Sequence, residues 1–184
     1  MPDGCLAALA DEWHAGGISF RPACDPSRMP ETAVEELTTE AEWTAALPIL
    51  RQLWTDADES FVRSWADEDD YRLFGLFVGT DDPDTSSVVG EPRESDGELV
   101  AVAGVSVQRV LHHARHAWIH DFVVAEAHRG QGYGADLLGF VESWAEDRDC
   151  EYVALAVRNG NDDALGFYEA EGMERWGSVV ETEL

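Results

Sequence analysis

The stretch HDFVVAEAHRGQGYGADLLGFVESWAED, His120 to Asp147, constrains the fold more than any other part of the chain. It runs an apolar strand into Gly130, Gly132 and Gly134, and then into Leu137, Leu138, Val141 and Trp144 at the spacing of one buried helical stripe. Glycine lets backbone approach a ligand closely. A helix start adds N–H groups without intrahelical partners and the positive end of the macrodipole. An anion, most often a phosphate, is the natural guest of such a turn.

Two phosphate loops compete for the assignment. Gly130-x-Gly132-x-x-Ala135 satisfies the dinucleotide fingerprint Gly-x-Gly-x-x-Gly/Ala. That fingerprint follows its strand directly, whereas Ala-Glu-Ala-His-Arg intervenes here, and the next strand ends at Arg158 rather than at the acid that would hold a ribose. The chain beyond the loop is also short for a doubly wound sheet. A Walker loop requires Lys, which the sequence lacks altogether.

Around this unit the chain alternates strand and helix signals. Ala33 to Leu37 reads as a first strand, and EAEWTAALPILRQLW places Trp43, Leu47, Leu50 and Trp54 at helical spacing, with Pro48 expected to kink that helix or to restart a turn. DESFVRSWADEDD reads as a short second helix ending in acids. YRLFGLFVG, ELVAVAGVSVQ and AWIHDFVV read as strands, the first two separated by an exposed loop from Thr80 to Gly97 and the last two by the His-rich RVLHHARH. After the helix that ends near Arg148 come the strand EYVALAV, a helix from Asn161 to about Gly172, and MERWGSVVETEL as terminal strand material. The expected fold is α+β, or mixed α/β, with helices on both faces of one sheet. Residues 1–30 contain four prolines and little periodicity, and are expected to form a loosely packed extension to a domain spanning 31–184.

Composition excludes several classes. No apolar run reaches the roughly 20 residues of a membrane helix, and the N-terminus has no basic-then-apolar leader, so a cytoplasmic protein with no membrane partner is expected. Cys5, Cys24 and Cys150 are odd in number and widely spread, which suits reduced thiols rather than a disulfide framework or a zinc site. His112, His113, His116 and His120 lack a recognised ligand spacing, so no metal is expected. Acids outnumber bases 38 to 12, and every base is Arg. Nucleic acid as a partner demands clustered basic residues, so it is excluded. A lysine-free carboxylate surface suits a halophilic protein in a cytosol of molar salt. An electrostatic lure for cationic substrates is the rival explanation, but at about 1 M salt the Debye length is only about 3 Å.

From about Val34 onward the sequence resembles the GNAT superfamily of N-acetyltransferases. The family signature Arg/Gln-x-x-Gly-x-Gly/Ala stands here as Arg129-x-x-Gly132-x-Gly134, after IHDFVV and before the expected helix. A second signature stands as Asn161-Asp-Asp-Ala-Leu-Gly-Phe-Tyr168, followed by Gly172 and Met173. The x-Asp-Phe-x-Val run is shared with the diamine acetyltransferases, which the motifs resemble most. The resemblance implies a mostly antiparallel twisted sheet. It also implies acetyl-CoA as acyl donor, its pyrophosphate on Arg129, Gly130, Gln131, Gly132, Tyr133 and Gly134, and its pantetheine arm paired with the backbone of Phe122, Val123 and Val124. Asn161 would contact the same donor, and Tyr168 would lie near its sulfur. A homodimer is compatible with it. The implied acceptor is a small-molecule amine or a protein N-terminus, walled by the first two helices, where Trp54, Phe61, Trp65, Asp56, Asp58 and Glu59 lie.

The reaction needs an uncharged amine to attack a thioester carbonyl, hence a general base, an oxyanion donor and a proton for the leaving thiolate. The N–H of Val123 can supply the oxyanion donor if the strand bulges. Tyr168, with an ordinary pKa of about 10 against about 8.5 for a thiol, can hold a proton and lend it. His120 is the candidate base, being mostly neutral at pH 7. It stands where the diamine enzymes carry an acid, and Asp121 would orient it or substitute for it. Strict alternation puts His116, Trp118 and His120 on one face and Asp121 on the other. The function read from the sequence is therefore acetyl transfer to a primary amine by direct attack in a ternary complex. A module that binds acyl-CoA without turnover is the rival reading.

Overall fold

The computed structural model describes residues 31–79, 97–111 and 114–182 of the chain. The extension expected over 1–30, the loop expected from Thr80, and His112 and His113 lie outside the described residues, whereas Gly97 opens a strand. The elements run β1 (Thr32–Glu36), α1 (Glu40–Leu50), α2 (Glu59–Ser64), β2 (Tyr71–Gly79), β3 (Gly97–Val110), β4 (Ala114–Val124), α3 (Tyr133–Glu146), β5 (Tyr152–Leu155) and α4 (Asp162–Ala170).

The strands form one sheet in chain order, antiparallel from β1 to β4, with β5 parallel to β4. A parallel neighbour needs a crossover, and the loop and α3 provide it. On one face the stripe of α3, Leu137, Leu138, Val141 and Trp144, packs on Phe74, Val105, Ala117 and Ile119. On the other, Trp43, Leu47 and Leu50 of α1 and Val62 of α2 pack on Leu73, Val102 and Val123. α1, α2 and α3 thus bury their apolar sides against the two faces of the sheet, whereas α4 has no fully buried residue.

Local chemistry sets where the helices begin and end. The Thr39 side chain accepts from Glu42 N–H, and the Glu42 carboxylate accepts from Thr39 N–H at 2.7 Å, a capping box that opens α1. Pro48 lies inside α1 without stopping it at once. The helix expected to reach Trp54 nevertheless ends at Leu50 and continues as turns. The terminal strand expected after Met173 does not form: residues 173–182 join no strand. Trp176, Val179 and Val180 are left largely exposed. The sheet's outer strand, β5, spans only four residues.

The pairing of β3 with β4 is irregular at one point. Gly104 pairs with Asp121, but Val105 pairs with Ile119, so His120 is an extra residue in β4. This is a β-bulge. Before it, Ala117 and Ile119 face α3; after it, Val123 faces α1, while Phe122 and Val124 pack toward α3.

Candidate active site

β4 and β5 pair only from His116↔Tyr152 to Ile119↔Leu155. β5 then ends, whereas β4 continues to Val124, so among the described residues the last five of β4 have an edge with no strand beside it. Which backbone groups point there follows from the ladder. Ala125 N–H donates to Val100 C=O, and antiparallel alternation then turns the N–H of Val123 to Val102. The groups presented to the open edge are those of Phe122 and Val124. Val123, expected to offer an oxyanion donor, spends its N–H on the sheet.

Tyr168 lies beside this edge. Its ring meets Phe122 at 6.0 Å and Phe167 at 5.1 Å between centroids. Burial pushes its phenol up to about 12, so it keeps its proton throughout the neutral range. Asn161 caps α4, its Oδ1 accepting from Ala164 N–H at 3.3 Å. That oxygen has a structural task, and the side-chain amide N–H groups remain for other partners.

The glycine loop has the form the sequence implies. Gly130 and Gly132 have φ of 73° and 94°, conformations that favour glycine, and a Cβ added at either would meet nothing within 4 Å. Gly132 caps α3 and no side chain caps it, so the first-turn N–H groups look out over an open surface that fits a phosphate. Gly134 serves packing instead, since an added Cβ would come 3.2 Å from the Phe167 ring. Tyr133 is buried with its ring 6.2 Å from that of His128, which leaves its N–H as its contribution. Arg129 is a brace: its Nε donates to Val124 C=O at 3.0 Å and its Nη2 to Gln52 Oε1 at 3.3 Å. Gln131 donates to Ala127 C=O. Gln52, whose Oε1 also accepts from Glu126 N–H, ties α1 to this loop, and no pattern in the sequence marks it out.

On the α1 and α2 side a cavity of about 390 Å³ is lined by Trp65, Asp67, Glu68, Asp69, Asp70, Tyr71, Ser106 and His120. His120 Nε2 is 2.8 Å from Ser106 Oγ, and its ring lies 5.8 Å from Trp65 and 5.7 Å from Tyr71. Half-burial lowers the His120 pKa, opposed by attraction to Asp121, so the imidazole is neutral at pH 7 and can accept a proton. The expectation that Asp121 faces away from His120 fails, because the bulge places two consecutive side chains on one side. Asp121 is nonetheless absent from the cavity wall. It is 8% exposed, and its two oxygens accept from Tyr71 Oη at 2.6 Å and from Trp54 Nε1.

The residues expected to wall an acceptor are not all gathered at this cavity. Trp65 lines the cavity, but Phe61 is 59% exposed, and Glu59 pairs with Arg63 on another groove. The acids that line it are Asp67, Glu68, Asp69 and Asp70, which in sequence read as the end of a helix. The structure instead ends α2 at Ser64, makes one turn of 3-10 helix, and leaves the acids on the approach to β2. Their proximity to Trp65 and Tyr71 in sequence is the signal that could have found them.

With this geometry in place, residues 50–173 match the Acetyltransferase (GNAT) family. The chain belongs to that family. It is an acyltransferase, and its open strand edge and glycine loop lie within the matched region. The chain is 26% identical over 155 residues to the "Uncharacterized N-acetyltransferase YhdJ" of Bacillus subtilis (strain 168), covering 82% of this chain and 94% of the relative. Among solved structures, aminoglycoside N-acetyltransferase AAC(6')-Iy in complex with CoA superposes with a TM-score of 0.66 at 14% identity, over 88% of this chain and 99% of that one. AAC(6')-Ih from Acinetobacter baumannii gives 0.63 at 17% identity, over 84% and 98%. At such identities these structures speak for the fold. Among the described residues of this acetyltransferase no helix is long and apolar enough to cross a membrane.

Proposed function

We propose that this acetyltransferase passes the acetyl group of acetyl-CoA to a primary amine on a cationic small molecule, by direct attack with both substrates bound. The observation that carries the reading is the cavity in which four carboxylates surround an approach to a neutral His120. Four acids suit an acceptor that arrives as an ammonium ion, and the Trp65 and Tyr71 rings add favourable faces for it. His120, directly or through a water, takes the proton that the amine must lose before it attacks. The donor's chemistry is an activated acyl group on sulfur. The first-turn N–H groups of α3 receive its pyrophosphate, the outward backbone groups of Phe122 and Val124 receive its arm, and Tyr168 donates to the departing sulfur.

The acceptor class takes further support from structural neighbours that are aminoglycoside acetyltransferases. Within this reading residues 31–184 form the catalytic domain, and the acidic, lysine-free surface adapts the protein to high salt in a cytosol. The test is release of free thiol from acetyl-CoA with a panel of acceptors: monoamines, polyamines, amino-sugars and peptides with free N-termini. Turnover with polycationic amines well above that with neutral monoamines or peptides is expected. A preference for peptide N-termini would overturn the small-molecule assignment.

A further inference from the structure

Asp121 invites reading as a second base, since it is an acid beside His120 on the strand at the centre of the site. Its surroundings argue otherwise. A base must present an oxygen to the substrate, whereas both oxygens of Asp121 accept from side chains of the scaffold, Tyr71 of β2 and Trp54 beyond α1. Its side chain lies outside the cavity wall that Tyr71, Ser106 and His120 share. Opposite the bulge stands Gly104, where an added Cβ would fall 1.8 Å from Tyr71 Oη and 2.7 Å from Asp121 Oδ2, so the hydroxyl occupies the space of a missing side chain. The Tyr71 ring itself is packed at tilted angles against those of Trp65 and Trp43, and it also lies 5.7 Å from that of His120.

We infer that Asp121 is a positioning residue: clamped between Tyr71 and Trp54, its carboxylate pins the bulge in β4 and so aims the His120 imidazole at Ser106 and the acceptor cavity. The clamp ties β4 to β2 and to the turns that follow α1, next to the bulge. Without it the bulge relies on backbone pairing and on the contacts of the His120 ring with Ser106, Trp65 and Tyr71, and that ring is less firmly directed. The clamp also sets what His120 feels. The groups that face the imidazole are the Asp121 carboxylate next to it, the Tyr71 phenol from β2, the Ser106 hydroxyl from β3, and Asp67, Glu68, Asp69 and Asp70 around the cavity. Burial lowers its pKa while Asp121 raises it, and the Tyr71 and Trp54 donors temper that carboxylate's field.

The inference rests on His120 being the base, and the experiment separates the two. The His120 pKa is measured by NMR of the imidazole in the free protein for wild type, Asp121→Asn and Tyr71→Phe, variants that preserve side-chain volume. Asp121→Asn removes the attraction and is expected to lower that pKa. Tyr71→Phe removes a donor from the carboxylate and is expected to raise it, each by about half a unit or more. Unchanged values in both variants would overturn the clamp. The pH profile of kcat/KM is the second readout. Acid limbs that follow the NMR shifts support both readings, whereas NMR shifts without matching limbs leave the clamp standing and remove His120 as base. If Asp121→Asn abolishes turnover while His120→Gln retains it, Asp121 is itself the base and the inference fails.

Discussion

Gly104→Ala tests the centre of the site by adding one methyl group. The new Cβ would sit 1.8 Å from Tyr71 Oη, 2.4 Å from Tyr71 Cζ and 2.7 Å from Asp121 Oδ2, where ordinary contact begins at 3.4 Å. Tyr71 is buried between two tryptophan rings, so it cannot retreat by about 1.6 Å without disturbing them. Its 2.6 Å bond to the buried carboxylate must break, a loss of about 1.5 to 3 kcal/mol for a bond to a charged group. Overpacking adds about 1 to 3 kcal/mol. The expected loss of roughly 3 to 6 kcal/mol is a large part of the 5 to 15 that domains possess. Tyr71→Phe alone costs about 1 to 3 kcal/mol by leaving Asp121 short of a donor. In the Gly104→Ala background the same change is expected to cost almost nothing, because the bond is already gone. Phenylalanine does not rescue the glycine variant either, since Cζ itself clashes. Urea unfolding of the four proteins gives the cycle. A Gly104→Ala protein within about 0.5 kcal/mol of wild type, or additive losses in the double variant, would refute the reasoning.

Gly132→Asp places a carboxylate on the open face of the α3 start and is expected to abolish the thermal shift produced by acetyl-CoA, about 2.7 kcal/mol at 100-fold saturation. Gly172→Asp is the matched control, because Gly172 has a φ of 93° and equally open surroundings, so it carries the same backbone strain away from the loop. Equal shifts in all three proteins would sink the loop assignment. Tyr168→Phe is expected to leave acetyl-CoA affinity nearly unchanged and to lower kcat about 10²-fold or more. Because the Tyr168 phenol is held up to about 12, the acidic form persists as pH rises, and wild-type kcat should show no fall between about pH 8 and pH 10. A Tyr168→Phe protein with intact kcat would leave solvent as the proton source. With 38 acids against 12 bases, the fold is expected to weaken as KCl is diluted from molar to millimolar, read by thermal melts; undiminished stability at low salt would favour the acids as a lure for cationic substrates.

The parts of the fold legible in the sequence are those with a short-range cause. The stripe of α3, the glycines of its loop and the β2, β3 and β4 runs each declare themselves within a dozen residues, and each forms where expected. What stays hidden is made by pairing across the sheet. A bulge leaves no mark in the strand that carries it, so strict alternation sets His120 and Asp121 apart when the register brings them together. Gly104 and Ser106 read as ordinary strand residues, yet one yields its space to Tyr71 Oη and the other meets His120. Gln52 and Trp54 lie in a stretch that reads as helix but forms turns, which frees their side chains to reach Glu126, Arg129 and Asp121. The run Asp67 to Asp70 reads as a solvated helix end, and its role as a cavity wall depends on where β2 begins.

Under the proposed function, the bulge would let one strand serve two substrates at once. A regular strand of period two gives each face every second side chain, so a base and its support next to it in sequence would be parted by the sheet. One extra residue resets the alternation. His120 and Asp121 then share the α1 and α2 side, on which the cavity lies, while Phe122 and Val124 turn toward α3 and Phe122 meets Phe167 and Tyr168 of α4. The same reset fixes which backbone groups reach the open edge, because the register beyond Gly104 determines that Val123 bonds inward and its neighbours outward. In the proposed reaction, acceptor chemistry would then come from side chains on one face and donor contacts from backbone at the edge. The proposed direct transfer requires the reacting atoms to approach to about 3 to 3.5 Å, and a strand that presents both sets of groups within a few residues is suited to it.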